Sequence, residues 1–403
     1  METAGSNNYF RNIKYLHIIR GFAAFYVLLA HAKWPFWVGG SSFFHNRPFS
    51  SLSFLDKLGS ILALCSSNGT AMVIVFFVLS GFIITHSYNR NNWQYREFII
   101  NRCLRIYIPY IASVILAGIL LVIAYNLASP VYDIPMKDYH EGISRAYHEG
   151  LTVSNFIKTF FFIRGDVNYF GFNYVYWSLL YEMIFYLLFP FILKYYKQFL
   201  IVSIILYPLH FIFTKDEMQF FLVYFFIKYL FYFCSGIWLY NVIKNGNKYL
   251  QHYVAEKKVL LLGSLLLCFM GIVVLGFAFP NAMGVSFVLA VFFSLLWIVY
   301  ILKHGMHLNF LSRTFLFLGE ISYSLYLIHV SILLLLYSLC FHYFGVKEYS
   351  SPWVHFLVAI IILPVAYVFY VLFEKFSVRM VQNHKKAVHH KLPLSESVQP
   401  KAY

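Results

Sequence analysis

Long apolar runs separated by short polar segments extend over almost the whole chain. A run of about 17 to 25 apolar residues is long enough to cross the hydrocarbon core of a bilayer as a helix. The pattern therefore predicts an all-α polytopic membrane protein, a bundle of about ten transmembrane helices. The predicted spans lie roughly at 13–33, 71–88, 106–127, 174–193, 219–240, 259–279, 283–302, 315–343 and 353–373, with a shorter one at 199–213.

The composition supports the same class. Hydrophobic residues make up 61% of the chain and charged residues 12%, whereas about 25% of the residues of a soluble domain are charged. The five cysteines are scattered without a CxxC pair or a metal-ligand spacing. We interpret them as structural and expect no metal site.

The net charge of +15 reports topology rather than nucleic-acid binding. With a cytoplasmic N-terminus, about two thirds of the 31 Lys and Arg fall on the cytoplasmic side, so the positive-inside rule predicts that both termini are cytoplasmic. We expect a cytoplasmic N-terminus at 1–12, a transmembrane domain at 13–375 and a basic, disordered cytoplasmic tail at 376–403. A long polar segment at about 127–173 is predicted to be extracytoplasmic, and loops of this length are usually functional or disordered.

The first apolar run also has features of a secretory signal peptide. Basic residues precede it, and Ala30, His31 and Ala32 form a small-residue pattern like a cleavage site. Cleavage there would remove the start of the chain. We favour a retained span, because the charge distribution already fits ten spans with this run included.

The first span has two ionisable residues, Arg20 and His31, at the ends of RGFAAFYVLLAH. Eleven helical residues are about 16 Å long and close to three full turns, so both side chains project from one face. Ionisable groups inside a span normally face the bundle interior or a polar cavity. The alternative is that Arg20 reaches the inner headgroups and His31 lies unrelated at the outer boundary.

A second group lies in NYVYWSLLYEMIFYLLFP. Ser178, Glu182 and Tyr186 recur every four residues and share a helix face, next to Trp177. A carboxylate in such an apolar run must be protonated, paired or exposed to a polar cavity. A structural ion pair between Glu182 and Arg20 is the alternative to a catalytic role.

Arg102 and Arg105 lie one turn apart in NRCLRIYIPY, at the start of a span. Positive-inside anchoring explains either arginine alone. Together they also form a clamp for phosphate groups, because each guanidinium can bind an anion bidentately.

Two further segments carry polar groups. In LGEISYSLYLIH, Ser322, Tyr326 and His329 lie on one helix face, where they can also serve only to hold helices together. In FFVLSGFIITHSY, Gly81 indicates a close approach between helices.

The chain has no P-loop, GxSxG or HExxH motif. An intramembrane histidine with possible carboxylate and arginine partners remains, and this group suits general-base chemistry.

Taken together and in their order along the chain, the segments quoted above resemble the acyltransferase family 3 membrane proteins. Members of this family O-acylate bacterial surface polysaccharides and related glycans. The resemblance covers about residues 10–375. RGFAAFYVLLAH resembles the family's Arg-x10-His signature, and later blocks are matched by FFVLSGFIIT, RCLRIYIPY, WSLLYEMIFYLLFP and GEISYSLYLIH. One departure is SSNGTAMVIVFF, where a second small glycine-containing block is usual. The short polar tail predicts the stand-alone form, without a fused hydrolase-like domain.

The resemblance implies that His31 is catalytic, that Arg20 belongs to the same unit and that Arg102 and Arg105 form the family's RxxR element. It implies no permanently bound cofactor and an acyl-CoA donor, most commonly acetyl-CoA, that approaches from the cytoplasm. The expected acceptor is a glycan or lipid-linked glycan, and the expected location is the bacterial inner membrane. We expect the segment 127–173 to contact the acceptor.

Our hypothesis is that His31 takes the proton of a sugar hydroxyl and that Glu182 orients and supports His31. Alternatives are a covalent acyl-His31 intermediate, a small-molecule acceptor such as a macrolide or nodulation oligosaccharide, and a transporter that uses the buried ionisable residues as a pathway.

Overall fold

The structure is a computed structural model that describes residues 10–37, 48–91, 94–133, 138–213, 215–247, 256–279, 282–345 and 351–391. These residues form an α-helical bundle without strands. Its α-helices of eight or more residues are α1 (Leu16–Phe36), α2 (Phe54–Cys65), α3 (Gly69–Asn91), α4 (Tyr95–Tyr132), α5 (Asp138–His148), α6 (Val153–Phe160), α7 (Trp177–Lys194), α8 (Tyr196–Leu206), α9 (Leu230–Lys244), α10 (Lys258–Ala278), α11 (Met283–His304), α12 (Phe310–Glu320), α13 (Ser322–Phe344), α14 (Val354–Phe369) and α15 (Lys375–Lys391).

Nine helical segments of the described chain are long and apolar enough to span a membrane. They are Ile13–Phe36, Gly69–Asn91, Tyr95–Tyr132, Tyr174–Lys194, Phe221–Lys244, Lys258–Ala278, Met283–His304, Ser322–Phe344 and Val354–Asn383. The shorter helix Tyr196–Ile212 corresponds to the predicted tenth run. The all-α polytopic architecture predicted from the apolar runs is therefore confirmed.

The run 315–343, predicted as one span, is two helices. Helix α12 ends at Glu320, the backbone leaves the helical conformation at Ile321, and α13 begins at Ser322. A carboxylate from another helix satisfies the new helix start: Glu374 accepts hydrogen bonds from the Ser324 backbone N–H at 3.1 Å and from its hydroxyl at 2.6 Å. The hydropathy of the sequence cannot reveal such a break, because the helices on both sides of it, α12 and α13, are apolar.

Two helix pairs cross at backbone contact because glycines face each other. A Cβ atom at Gly21 of α1 would overlap Phe315 O of α12, and one at Gly319 would overlap His17 O. Gly81 of α3 and Gly236 of α9 form the equivalent contact. The close approach predicted at Gly81 is confirmed, as expected for small residues at helix contacts in membranes.

The polar segment predicted at 127–173 is folded where the structure describes it. It contains α5 and α6. Two contacts join it to the bundle: Asn173 Nδ2 donates to Leu327 O at 2.7 Å, and His140 Nε2 lies 3.2 Å from the Tyr337 hydroxyl.

The tail, which was predicted to be disordered, is helical in its first part. Residues 376–391 continue as helix α15 against α4, where the Ser377 hydroxyl donates to Arg105 O at 3.5 Å, and 392–403 lie outside the described residues.

Candidate active site

Two cavities lie along helix α1. We call the end of the bundle with Leu16 the near face and the end with Phe36 the far face. The larger cavity, of about 130 Å³, lies toward the near face and is called the arginine cavity. Its polar lining consists of Arg20, Ser80, Arg102, Arg105, Ser178, Glu182, Tyr186, Ser322, Tyr323 and Tyr326.

The arginine cavity brings together three guanidinium groups from two helices. Arg20 comes from α1, and Arg102 and Arg105 come from α4. The Arg102 guanidinium lies over the rings of Phe98 and Tyr186, 5.5 and 5.7 Å from their centroids, which holds it in place by cation–π contact. In the described part of the chain, Arg20 and Arg105 donate no side-chain hydrogen bond, so both forks remain available to an anion.

Glu182 is the carboxylate that lines this cavity. It accepts hydrogen bonds from Ser80 Oγ at 3.2 Å and from the Tyr186 hydroxyl one turn along α7. Its charge acts on Arg20 and Arg102. Because three guanidiniums face one lining carboxylate, the cavity carries net positive charge.

Sequence reasoning missed a second carboxylate, Glu374, which is 3% exposed. It is the last residue of a π-helical turn, Tyr370–Glu374, and lies close enough to Arg105 and Arg20 to interact electrostatically with both. The sequence does contain a feature that could have pointed to it, because Glu374 lies beside Lys375 at the end of the last apolar run. Its neighbours could be found only from the folded structure.

Two residues that line the arginine cavity, Ser178 and Tyr326, are joined by a hydrogen bond on its far side. Ser178 Oγ of α7 lies 2.7 Å from the Tyr326 hydroxyl of α13, and this hydroxyl donates to Val175 O at 2.6 Å. The Ser322 hydroxyl bonds locally to Gly319 O at 2.9 Å. Trp177 points elsewhere and packs among Phe77, Tyr181 and Tyr229.

Beyond Tyr326 lie two histidines. The Tyr326 ring is 5.9 Å from that of His329, and His329 Nε2 lies 2.7 Å from His31 Nδ1. The expected neighbour of His31 was Glu182, but the hydrogen bonds of Glu182 go to Ser80 and Tyr186. An imidazole occupies the position beside His31 instead. Helix periodicity relates residues within one helix and does not show which helices face each other.

His31 lines the second cavity, of about 40 Å³, which we call the far cavity. Its walls come from α1, from α5, from the segment before α7 and from α13. They are formed by His31, Trp34, Pro35, Ile143, Phe172, Tyr174, Val330, Leu333, Leu334 and Tyr337. The His31–His329 pair therefore lies between the two cavities.

Comparison with known families decides the class of this site. A family described as "Acyltransferase domain" matches residues 13–371, nearly the whole chain. The chain belongs to acyltransferase family 3. No curated protein and no solved structure matches it.

This family 3 member is a multi-pass membrane acyltransferase, so its site must receive an acyl donor and an acceptor. The match includes all ten residues predicted to form the site. Seven of them, Arg20, Arg102, Arg105, Ser178, Glu182, Ser322 and Tyr326, line the arginine cavity, while His31 and His329 lie beyond it and Trp177 packs within the bundle.

Proposed function

We propose that this acyltransferase moves an acyl group, with acetyl as the first candidate, from acyl-CoA to a hydroxyl of a cell-envelope glycan at the bacterial inner membrane. The main support for this proposal is the placement of two residues on helix α1. It carries Arg20 in the positively charged cavity and His31 at the border of the far cavity, about three turns away.

The donor site is assigned to the arginine cavity because of its charge. Coenzyme A carries phosphate groups, and guanidinium groups bind phosphate oxygens through paired, charge-assisted hydrogen bonds. Arg102 and Arg105 lie one turn apart near the start of α4, where they can hold adjacent phosphates. Arg20 on α1 would then face the pantetheine arm of the coenzyme.

The near face is assigned to the cytoplasm. The segments that end there contain most of the Lys and Arg of the chain, and the positive-inside rule favours this orientation. Acyl-CoA is a cytoplasmic metabolite, so the arginine cavity would open toward its donor.

His31 is assigned the role of general base. In the proposed step, the acceptor O–H proton moves to His31 as the acceptor oxygen attacks the thioester carbon. The C–S bond then breaks, the new C–O ester bond remains, and His31 returns its proton to the CoA thiolate. No external reductant or oxidant is needed.

The acceptor is assigned to the far side of His31. Ile143 of α5, together with Phe172 and Tyr174, lines the far cavity next to His31. Ile143 and Phe172 belong to the long polar segment, 127–173, that we expected to contact the acceptor. A hydroxyl group that arrives from the far face would therefore meet His31 without crossing the bundle.

Mass spectrometry of envelope polysaccharide tests this proposal. Cells carry the intact gene, a His31→Ala version or no gene. We expect an alkali-labile, ester-sized mass increment only with the intact gene. Identical glycans from all three would reject the envelope acceptor, and CoA release by purified protein with candidate small molecules would then identify another one.

A further inference from the structure

The pair formed by His31 and His329 has an uncommon geometry for two neighbouring imidazoles. Their planes differ by 3° and their centroids are 5.0 Å apart. This separation is close to the 2.7 Å N···N distance plus the two ring radii. The rings therefore lie edge to edge in a common plane, with one N–H···N hydrogen bond between them, rather than face to face.

The other nitrogen of His329 is committed to the backbone. His329 Nδ1 lies 3.0 Å from Leu325 O and 2.9 Å from Tyr326 O, within its own helix. A carbonyl oxygen only accepts hydrogen bonds, so Nδ1 must carry a proton and donate. In a neutral ring, Nε2 of His329 is then an acceptor.

The surroundings of both rings favour the neutral form. His329 is 1% exposed, and in the described part of the chain no carboxylate hydrogen-bonds to either imidazole. A buried charge without a partner is costly. Tyr174 packs edge-on against His31 at 5.3 Å and restricts rotation of its ring.

We infer that His329 is a positioning residue that fixes the proton of His31 on Nδ1 and thereby leaves the lone pair of His31 Nε2 as the base. This inference rests on the proposed function only for its catalytic consequence. The order of hydrogen bonds starts at the backbone carbonyls, which orient His329, and His329 in turn orients His31. His31 Nε2 itself has no hydrogen-bond partner among the described residues. A neutral imidazole takes the position that a carboxylate often occupies beside a catalytic histidine.

The tautomer can be measured without any substrate. Solid-state NMR of the full-length protein in lipid, labelled with ¹⁵N-histidine, distinguishes protonated from unprotonated ring nitrogens. The His31 signals are assigned by their loss in His31→Gln. We expect protonated Nδ1 and unprotonated Nε2 in the unaltered protein, and a shift toward the Nε2–H form in His329→Leu. An Nε2–H form in the unaltered protein would overturn the inference.

Two polar variants test the catalytic consequence. In His329→Gln, the side-chain carbonyl can reach the position of the imidazole Nε2 and accept from His31. Asparagine is one methylene too short, so His329→Asn removes the acceptor while keeping an amide. We expect kcat of His329→Gln within about tenfold of the unaltered enzyme and that of His329→Asn lower by about 10² or more, with KM for acyl-CoA changed little in both. Equal losses in both variants, or no loss in either, would contradict the positioning role.

His355→Gln is the matched control for replacing a buried histidine. His355 is fully buried, and neither of its ring nitrogens has a hydrogen-bond partner in the described chain. We expect its kcat to be unchanged. Absence of acyl transfer by the unaltered protein would reject the proposed function alone, because the tautomer measurement still decides the inference about His329.

Discussion

The hydroxyl of Tyr326 lies 2.7 Å from Ser178 Oγ and joins α13 to α7 at the end of the arginine cavity. The same hydroxyl donates to Val175 O at 2.6 Å. Tyr326 therefore holds the segment before α7 against the helix that carries His329.

Tyr326→Phe removes this connection while keeping the ring. We expect the free energy of unfolding to fall by about 1–3 kcal/mol, because Val175 O and Ser178 lose a buried partner. Thermal unfolding in detergent measures the change. Ser178→Ala is the paired variant and should cost less, since Tyr326 keeps its bond to Val175 O. Equal stability of Tyr326→Phe and the unaltered protein would show that this bond does not hold the segment.

Arg105→Gln tests the donor site. We expect KM for acyl-CoA to rise by about tenfold or more, with a smaller change in kcat, because a charge-assisted phosphate contact is lost. Arg96→Gln is the control, since Arg96 is exposed near the start of α4 and does not line the arginine cavity. A larger KM effect in the Arg96 variant would assign donor binding to the membrane surface instead.

Glu182→Gln separates two roles for this carboxylate. In the structure it faces the arginines and not His31, so we expect kcat to change less than tenfold and the dissociation constant for CoA to fall by about threefold or more, as one negative charge leaves the cavity. Isothermal titration with CoA and steady-state rates provide the two values. A kcat loss of about 10² or more with unchanged CoA binding would instead make Glu182 a partner of His31.

Gly21→Ala tests the contact between α1 and α12. The added methyl group would overlap backbone atoms of Phe315 and Gly319, so the helices must separate. We expect a loss of about 1–3 kcal/mol in unfolding free energy, or more if the backbone cannot shift. Gly263→Ala in α10 is the matched control, because no atom outside the neighbouring turns of its own helix lies within 4 Å of its added Cβ. It should be neutral or slightly stabilising. Similar melting temperatures for both variants would refute the tight crossing.

Much of the fold could be predicted from the sequence because hydrophobic length determines membrane spans directly. The break at Ile321 could not, since it depends on Glu374, a residue more than fifty positions away that satisfies the start of α13. The helical part of the tail was also missed. Its polar composition resembles disorder, but it continues a preceding helix and packs against α4.

The residues of the candidate site could be predicted from the sequence, but some of the contacts between them could not. Periodicity placed Ser178, Glu182 and Tyr186 on one helix face, and all three line the arginine cavity. The partner of His31 depends on how α1 packs against α13, which no local pattern encodes. His329 was therefore identified as a supporting residue without its neighbour, and Glu182 was expected at the position that His329 occupies.

The most direct test of the central claim is a transfer assay with purified protein in lipid vesicles. Labelled acetyl-CoA and envelope polysaccharide are supplied to the unaltered protein, to His31→Ala and to His355→Gln, and label in the polysaccharide is counted. We predict transfer by the unaltered protein and by His355→Gln, and a loss of about 10²–10⁴-fold in His31→Ala with CoA binding retained. Transfer by His31→Ala at more than a few per cent of the unaltered rate would contradict the account, because a general base would then not reside at His31.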